Sequence, residues 1–328
     1  MIGLTRRRLA ATGAAALAAP ALVLRPADAG PARLGPETPS HYRFALGAFT
    51  VTMLLDAAGL TDGPWPIVGE DRPKDEVEAL MRENRLPAAR FQPGFTPVLV
   101  DTGQEKVLFD TGNGAVGFVP PPAGGRLVER LRAAGTEPDA VDVVVLTHCH
   151  TDHIGGLMRD GRPAFPNARL IVGAVEYDFW TKPERLAAAP EGNEAKSALV
   201  FRSNLVPLGE RTRFVAPGDA VVPGIHALAA HGHTPGHLAF HVESAGRRML
   251  VWGDCAHHEV ASLSHPEWHA LFDMDKAAGA ATRRRIYDMA AADDIVVAGY
   301  HTSFPSLGYV ARAGAGYRWI PVTYQLER

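Results

Sequence analysis

Cysteine is nearly missing from this chain: Cys149 and Cys255 are the only two in 328 residues. A disulfide-stapled scaffold is therefore excluded. Cys149 lies between His148 and His150 and Cys255 follows Asp254, residue types that can bind metal, so two free thiols are expected rather than a bridge. Excess positive charge is missing too, since 33 Lys and Arg against 36 Asp and Glu give a formal charge of −3. That leaves no electrostatic footing for a nucleic-acid partner. No G-x-G-x-x-G follows an apolar run, which removes support for dinucleotide binding. A Gly-x-Ser-x-Gly elbow is also absent, and with it support for a serine nucleophile of that kind. Beyond the N-terminal region no apolar run is long enough to span a bilayer.

The N-terminal region reads as an export signal. Thr5-Arg6-Arg7-Arg8-Leu9 is a twin-arginine pattern, a small-apolar run fills residues 10–24, and Ala27-Asp28-Ala29 offers a cleavage site. Residues 1–29 are expected to be a twin-arginine signal peptide, leaving a periplasmic or secreted protein with no stable membrane span after cleavage. They hold four Arg and one Asp, a net of +3, so the mature chain would be near −6. Residues 30–40 are Pro/Gly-rich and are expected to form a flexible lead-in, and residues 41–328 a single domain. A hydrophobic fraction of 46% with 21% charge is ordinary for a globular protein.

Histidine is what the chain has in quantity, with 14 residues. Thr147-His148-Cys149-His150-Thr151-Asp152-His153-Ile154-Gly155-Gly156 reads H-x-H-x-D-H directly after an apolar run at 141–146. Imidazole and carboxylate suit divalent transition metals, zinc most commonly. Alternation at a strand end points His148 and His150 the same way, and Asp152 and His153 can then turn toward a second metal. The same alternation turns Cys149 away.

Strands are expected at 42–55 as a pair, at 97–101 and 106–110 as a hairpin, and at 141–147, 169–172, 211–215 and 224–229. A second hairpin is expected at 238–243 and 248–252, and a last buried strand at 295–298. Helices are expected at 75–84, 127–134, 175–180 and 276–292. In the last of these, Ile286 and Met289 are read as facing inward and Arg283 to Arg285 as largely solvated. Strands followed by helices in both halves favour two mixed sheets packed together with helices outside.

Three later loops end strands on candidate ligands. They are His231-Gly232-His233-Thr234-Pro235-Gly236-His237, then Gly253-Asp254, then Tyr300-His301. With Asp110-Thr111-Gly112 and the first motif, these runs make the chain resemble the metallo-β-lactamase superfamily. The resemblance implies an α/β fold, a four-layer αββα metallo-β-lactamase sandwich with two divalent metal ions at one edge. Zinc is the first expectation, and manganese, iron or cobalt accept the same ligands. It implies His148, His150 and His233 on one ion, Asp152, His153 and His301 on the other, and Asp254 bridging. Asp110 would orient a ligand histidine, and His237 would serve a structural role. His231 is not expected to ligate.

The implied chemistry is hydrolysis, in which a metal-bridging hydroxide steadied by Asp152 attacks an electrophilic carbonyl or phosphoryl centre. Ala164-Phe165-Pro166-Asn167-Ala168, Glu176-Tyr177-Asp178-Phe179-Trp180, Ser303-Phe304-Pro305 and Gly316-Tyr317-Arg318-Trp319-Ile320-Pro321-Val322 resemble the branch of methyl parathion hydrolase and its lactonase relatives. That branch places Phe118 and Trp180 at an aromatic pocket, core packing being the alternative for both. Two departures point away from phosphotriesters. Ser197, Ala198 and Leu199 are small or aliphatic where the organophosphate enzyme is aromatic, and His257 stands three residues after Asp254 where that enzyme is apolar. Acyl-homoserine lactonases carry a tyrosine at that spacing, so His257 is read as a donor to a carbonyl or leaving oxygen, or else as an exposed loop histidine. The expected substrate is a small uncharged lactone or ester, with a phosphotriester as the alternative. A β-lactamase is a weaker fit. An iron-dependent oxidoreductase on the same scaffold lacks its expected glutamate at His150 and its flavodoxin domain. A homodimer is implied by the resemblance alone.

Overall fold

The computed structural model describes residues 39–187 and 193–323. The expected signal peptide and most of the lead-in lie outside the described residues.

Seven strands form a first sheet in chain order: His41–Leu46 (β1), Phe49–Leu54 (β2), Val98–Asp101 (β3), Lys106–Phe109 (β4), Val143–Val145 (β5), Arg169–Gly173 (β6) and Thr212–Val215 (β7). β1 to β4 run antiparallel, whereas β5, β6 and β7 add in parallel. The second sheet repeats the plan with Ala220–Val222 (β8), Ile225–Ala229 (β9), Leu238–Ser244 (β10), Arg247–Val251 (β11), Val296–Ala298 (β12), Leu307–Ala313 (β13) and Gly316–Pro321 (β14). There β11 and β12 are parallel, and the other pairs are antiparallel. The strand at 295–298 is thus not the last, because β13 and β14 follow as a hairpin turning at Gly314 (φ 58°).

Side-chain alternation decides the layering. Val143 and Val145 point between the sheets with Phe109, Ile171, Phe240 and Val251, while Val144 points outward with Leu108 and Leu170. Strands buried on both faces read as continuous apolar runs, which is why β5 is three valines. Against the outer face of the first sheet lie Leu127–Ala133 (α2) and Ala174–Thr181 (α4), seated by Leu127, Leu131 and Trp180. Lys74–Glu83 (α1) instead buries Val77 and Met81 in a separate cluster with Trp268. The architecture is the four-layer αββα sandwich.

Lys276–Ala292 covers the second sheet; with the one-turn Thr151–Ile154 (α3) and Asn193–Val200 (α5) before it, it is α6. It starts where the Asp275 carboxylate accepts from the Ala278 amide, a side-chain cap. Its buried positions Arg283, Ile286, Tyr287 and Ala290 recur at the helical period. Ile286 is fully buried against Leu250, Trp252 and Val297, a contribution of about 1.5–3 kcal/mol. Arg283 is 2% exposed rather than solvated as its charge suggests, because it falls on that same face and finds a buried carboxylate there. Met289 is only half-buried.

Candidate metal centre

Every loop that carries a candidate ligand leaves the C-terminal end of a strand. Asp110 follows β4, His148 follows β5, His233 follows β9, Asp254 follows β11 and His301 follows β12. Asp110 sits in the left-handed region (φ 58°), held there by what its carboxylate receives. The Thr147 amide and hydroxyl each donate to it at 2.8 Å, and His153 Nδ1 lies 2.8 Å away. α3 is one turn long and begins after His150, whose carbonyl accepts from the His153 and Ile154 amides. That turn swings Asp152 and His153 into the centre. It packs so closely on the Thr111–Asn113 backbone that a Cβ on Gly155 would stand 2.1 Å from Asn113 O, so only glycine fits.

Two groups of donor atoms result. Those of His148, His150, His233 and Asp254 lie within 4.8 Å of one another, as do those of Asp152, His153 and His301. Asp254 reaches both, with Oδ2 3.2 Å from His233 Nε2 and from His301 Nε2, and Oδ1 3.1 Å from His153 Nε2. His233 Nε2 is 2.9 Å from His150 Nδ1 and 3.1 Å from His148 Nε2. The outer nitrogens are occupied elsewhere: His148 Nδ1 by the Thr147 hydroxyl, His153 Nδ1 by Asp110, His233 Nδ1 by Asp273, and His301 Nδ1 by the Gly94 carbonyl. Those partners fix the tautomers so that four Nε2 lone pairs converge inward.

The convergence fits two divalent ions. His153 Nε2 and Asp254 Oδ1 are buried without a hydrogen-bond partner, although each faces the other. Burial holds His148 and His150 well below the usual imidazole range, which keeps them neutral and able to ligate. Burial presses the same way on His153 and His233, yet the carboxylates overcome it. Asp254, Asp152 and Asp110 raise His153 well above its ordinary value, and Asp254 and Asp273 bring His233 to about 9. The centre therefore calls for positive charge, as buried carboxylates facing imidazoles do.

Beside these donors opens a cavity of about 540 Å³, reached by Asp152, Asp254, His257 and His301 and walled by Phe95, Phe118, Leu199, Leu271 and Phe272. Phe118 is 47% exposed and lines it, its ring 6.2 Å from Phe95 and 5.9 Å from Phe272. Trp180 does not line it. The indole is fully buried in the outer core and donates to Glu176 Oε1 at 2.8 Å, with His150 packed edge-on at 6.2 Å, so it supports His150 from behind. Neither His257 nor His258 is an exposed loop residue. His258 Nδ1 accepts from the Val260 and Ala261 amides, whereas both ring nitrogens of His257 are buried and unpartnered, with Nε2 3.5 Å from Asp254 Oδ2. His237 joins neither donor group. Its Nδ1 bonds the Ala230 carbonyl and its Nε2 accepts from the Asp254 amide, tying the two loops together. Burial lowers it to about 3, and its neutral ring suits that acceptor role. Cys149 and Cys255 are buried free thiols.

Several supporting residues escaped the sequence reading. Glu176 is a fully buried carboxylate that receives the Cys149 and Gly236 amides, the Thr234 hydroxyl and the Trp180 indole, and so joins the two main histidine loops. Asp56 receives the Asn113 amide and side chain and the Leu127 amide, holding the loop that leads to Phe118. The Tyr300 hydroxyl donates to the Asp152 carbonyl while its ring stacks on His153 at 3.9 Å. Asp273 pairs with His233 and Arg283. Each is a lone acidic or aromatic residue in an unremarkable local context. The signal that could have been read is Glu176, an acidic residue one helical turn before a tryptophan.

A family profile described as "Metallo-beta-lactamase superfamily" matches residues 96–299. Among curated proteins the chain is similar to "N-acyl homoserine lactonase AiiA" of Bacillus thuringiensis subsp. kurstaki, 31% identical over 156 residues that cover 45% of this chain and 54% of that protein. The chain thus spans about half the length of the curated relatives it matches. Among solved structures it is similar to "hydrolase AbOPH in beta lactamase superfamily", with a TM-score of 0.79, 26% identity, and coverage of 88% and 99% of the two chains. It is also similar in fold to "AidC, a Dizinc Quorum-Quenching Lactonase", with a TM-score of 0.79, 22% identity, and coverage of 87% and 98%.

Proposed function

From the premise that this chain belongs to the metallo-beta-lactamase superfamily, we propose that it is a two-zinc hydrolase that opens lactones and related uncharged esters. One observation carries the reading: two donor groups meet at Asp254, which lines a cavity whose wall includes Phe95, Phe118, Leu271 and Phe272. His148, His150 and His233 would hold one ion and Asp152, His153 and His301 the other. Bound there, the ions supply Lewis acidity that polarises a carbonyl oxygen and acidifies water.

The chain's own residues then divide the work. Asp152 keeps 13% of its side chain exposed toward the cavity, so its carboxylate orients the attacking water and accepts its proton. Water adds to the carbonyl carbon, the ring C–O bond breaks, and the proton held on Asp152 passes to the departing oxygen. His257, whose ring nitrogens have no other partner, steadies that oxygen with an N–H hydrogen bond as charge develops and keeps its own proton. Phe95, Phe118 and Phe272 exclude solvent around the apolar part of the substrate.

The relatives favour the lactone side, since AiiA is an N-acyl homoserine lactonase and AidC a dizinc lactonase by description. We also place the protein in the periplasm or outside the cell, on the twin-arginine pattern at residues 5–9, and as a homodimer. The test is zinc loading followed by a panel of N-acyl homoserine lactones, other γ- and δ-lactones, aryl esters and methyl paraoxon. Turnover of lactones ahead of the triester supports the reading. Efficient triester cleavage with no lactone or ester turnover sinks it.

A further inference from the structure

Asp273 belongs to neither donor group around Asp254, yet it forms a third buried cluster with His233 and His257. Its Oδ1 stands 3.0 Å from His233 Nδ1, and its Oδ2 pairs with the Arg283 guanidinium. Arg283 directs its remaining donors to the Pro266 carbonyl at 3.0 Å and the Trp268 carbonyl at 2.8 Å. Asp273 is 3% exposed and Arg283 2%. The seat is built to close tolerance: a Cβ on Gly279 would stand 2.4 Å from Asp273 Oδ2. The backbone of the same loop is zipped to the ligand loop, with Met274 N donating to His233 O and Asp275 N to Gly232 O, each at 2.9 Å.

A third metal is a poor occupant for this cluster. His233 would have to surrender its Nδ1 proton, and Asp273 its arginine, whose buried charge would then be unpaired. The alternative uses every contact as it stands. A carboxylate on Nδ1–H fixes the tautomer and rotamer of His233, raises the basicity of Nε2, and leaves that nitrogen facing His150 and Asp254. Asp110 has the same geometry on His153.

We propose that Arg283, Asp273 and His233 form a relay in which Asp273 is the positioning residue for the ion held by His148, His150 and His233. This rests on the two-metal reading above. Arg283 anchors that carboxylate to α6, and the loop it pins carries Leu271 and Phe272 of the cavity wall. Each ion therefore has its own carboxylate behind one histidine.

The test is zinc competition against a chelator for wild type and the double variant D273L/R283M, which removes both charges and leaves neither unpaired. The expected result is wild-type far-UV circular dichroism with one of two zinc ions bound about 10–100-fold more weakly. Wild-type affinity for both ions, or equal weakening of both in the folded variant, overturns the relay. A wild-type chain that binds fewer than two ions overturns the two-metal reading instead, and the relay with it. The zinc-loaded wild-type protein gives a readout that needs no variant. His233 Nδ1–H should appear in proton NMR as a low-field, slowly exchanging resonance, and rapid exchange with solvent overturns the relay even where the variant does not fold.

Discussion

Replacing His257 with leucine separates leaving-group assistance from every other part of the centre. The imidazole is 3% exposed, lines the cavity and lies beside Asp254, but neither ring nitrogen has a hydrogen-bond partner. His257→Leu therefore removes no existing hydrogen bond, and leucine is close enough in volume to refill the site. Stability should be unchanged or rise by up to about 1 kcal/mol, because an unsatisfied buried polar group disappears. In the reaction the loss is larger. A hydrogen bond to an oxygen gaining charge is worth about 1.5–3 kcal/mol, or roughly 10- to 150-fold in rate. That loss should fall on kcat/KM for lactones, whose leaving oxygen is an aliphatic alkoxide. Aryl esters, whose leaving group departs unaided, should change by less than about 3-fold. The assay is steady-state kinetics on one δ-lactone and one nitrophenyl ester, with zinc content measured on the same samples. Equal losses on both substrates at full zinc content, or no loss on either, would refute the assignment.

Four further outcomes are expected. Phe118→Ala should raise KM for apolar substrates several-fold and leave stability within about 0.5 kcal/mol, since the ring is half exposed at the cavity; Trp180→Phe should instead cost about 1–2 kcal/mol in urea denaturation with little change in KM. Glu176→Ala orphans four donors that bind the carboxylate, so at least about 3 kcal/mol of stability should be lost, and a loss under about 1 kcal/mol would contradict the pinning role. Stripping metal with a chelator should lower Tm, and zinc restored at about 1,000 times its Kd should return roughly 4 kcal/mol per site; a melt indifferent to zinc would remove the case for binding.

Local pattern carried much of the fold to the reader of the sequence. Val143 to Val145 announce a strand buried on both faces, and residues 276–292 announce a helix, because each pattern is written within a few turns of chain. The C-terminal pair β13 and β14 is not legible in the sequence although Gly314 marks its turn, since small and charged residues there dilute the alternation. The polarity of Arg283 points to solvent, but its position points inward. Three residues before Ile286 and four before Tyr287, it had to share their face. The resemblance puts Trp180 at the pocket, whereas packing seats it behind His150 rather than in the cavity.

Legible along the chain alone is the candidate ligand set of the first loop. His148, His150, Asp152 and His153 lie within six residues, and a strand followed by one helical turn is enough to aim them. Which distant groups complete and hold that loop follows instead from how the two sheets close on each other. Asp254 meets His153 across about 100 residues of chain, Asp273 meets His233 across 40, and Glu176 joins the loops at 149 and 234–236. The physical reason is that a ligand's identity is local chemistry, whereas its tautomer, charge and aim come from what packs against it. Those partners are chosen by two sheets closing on one core, and no local pattern records them.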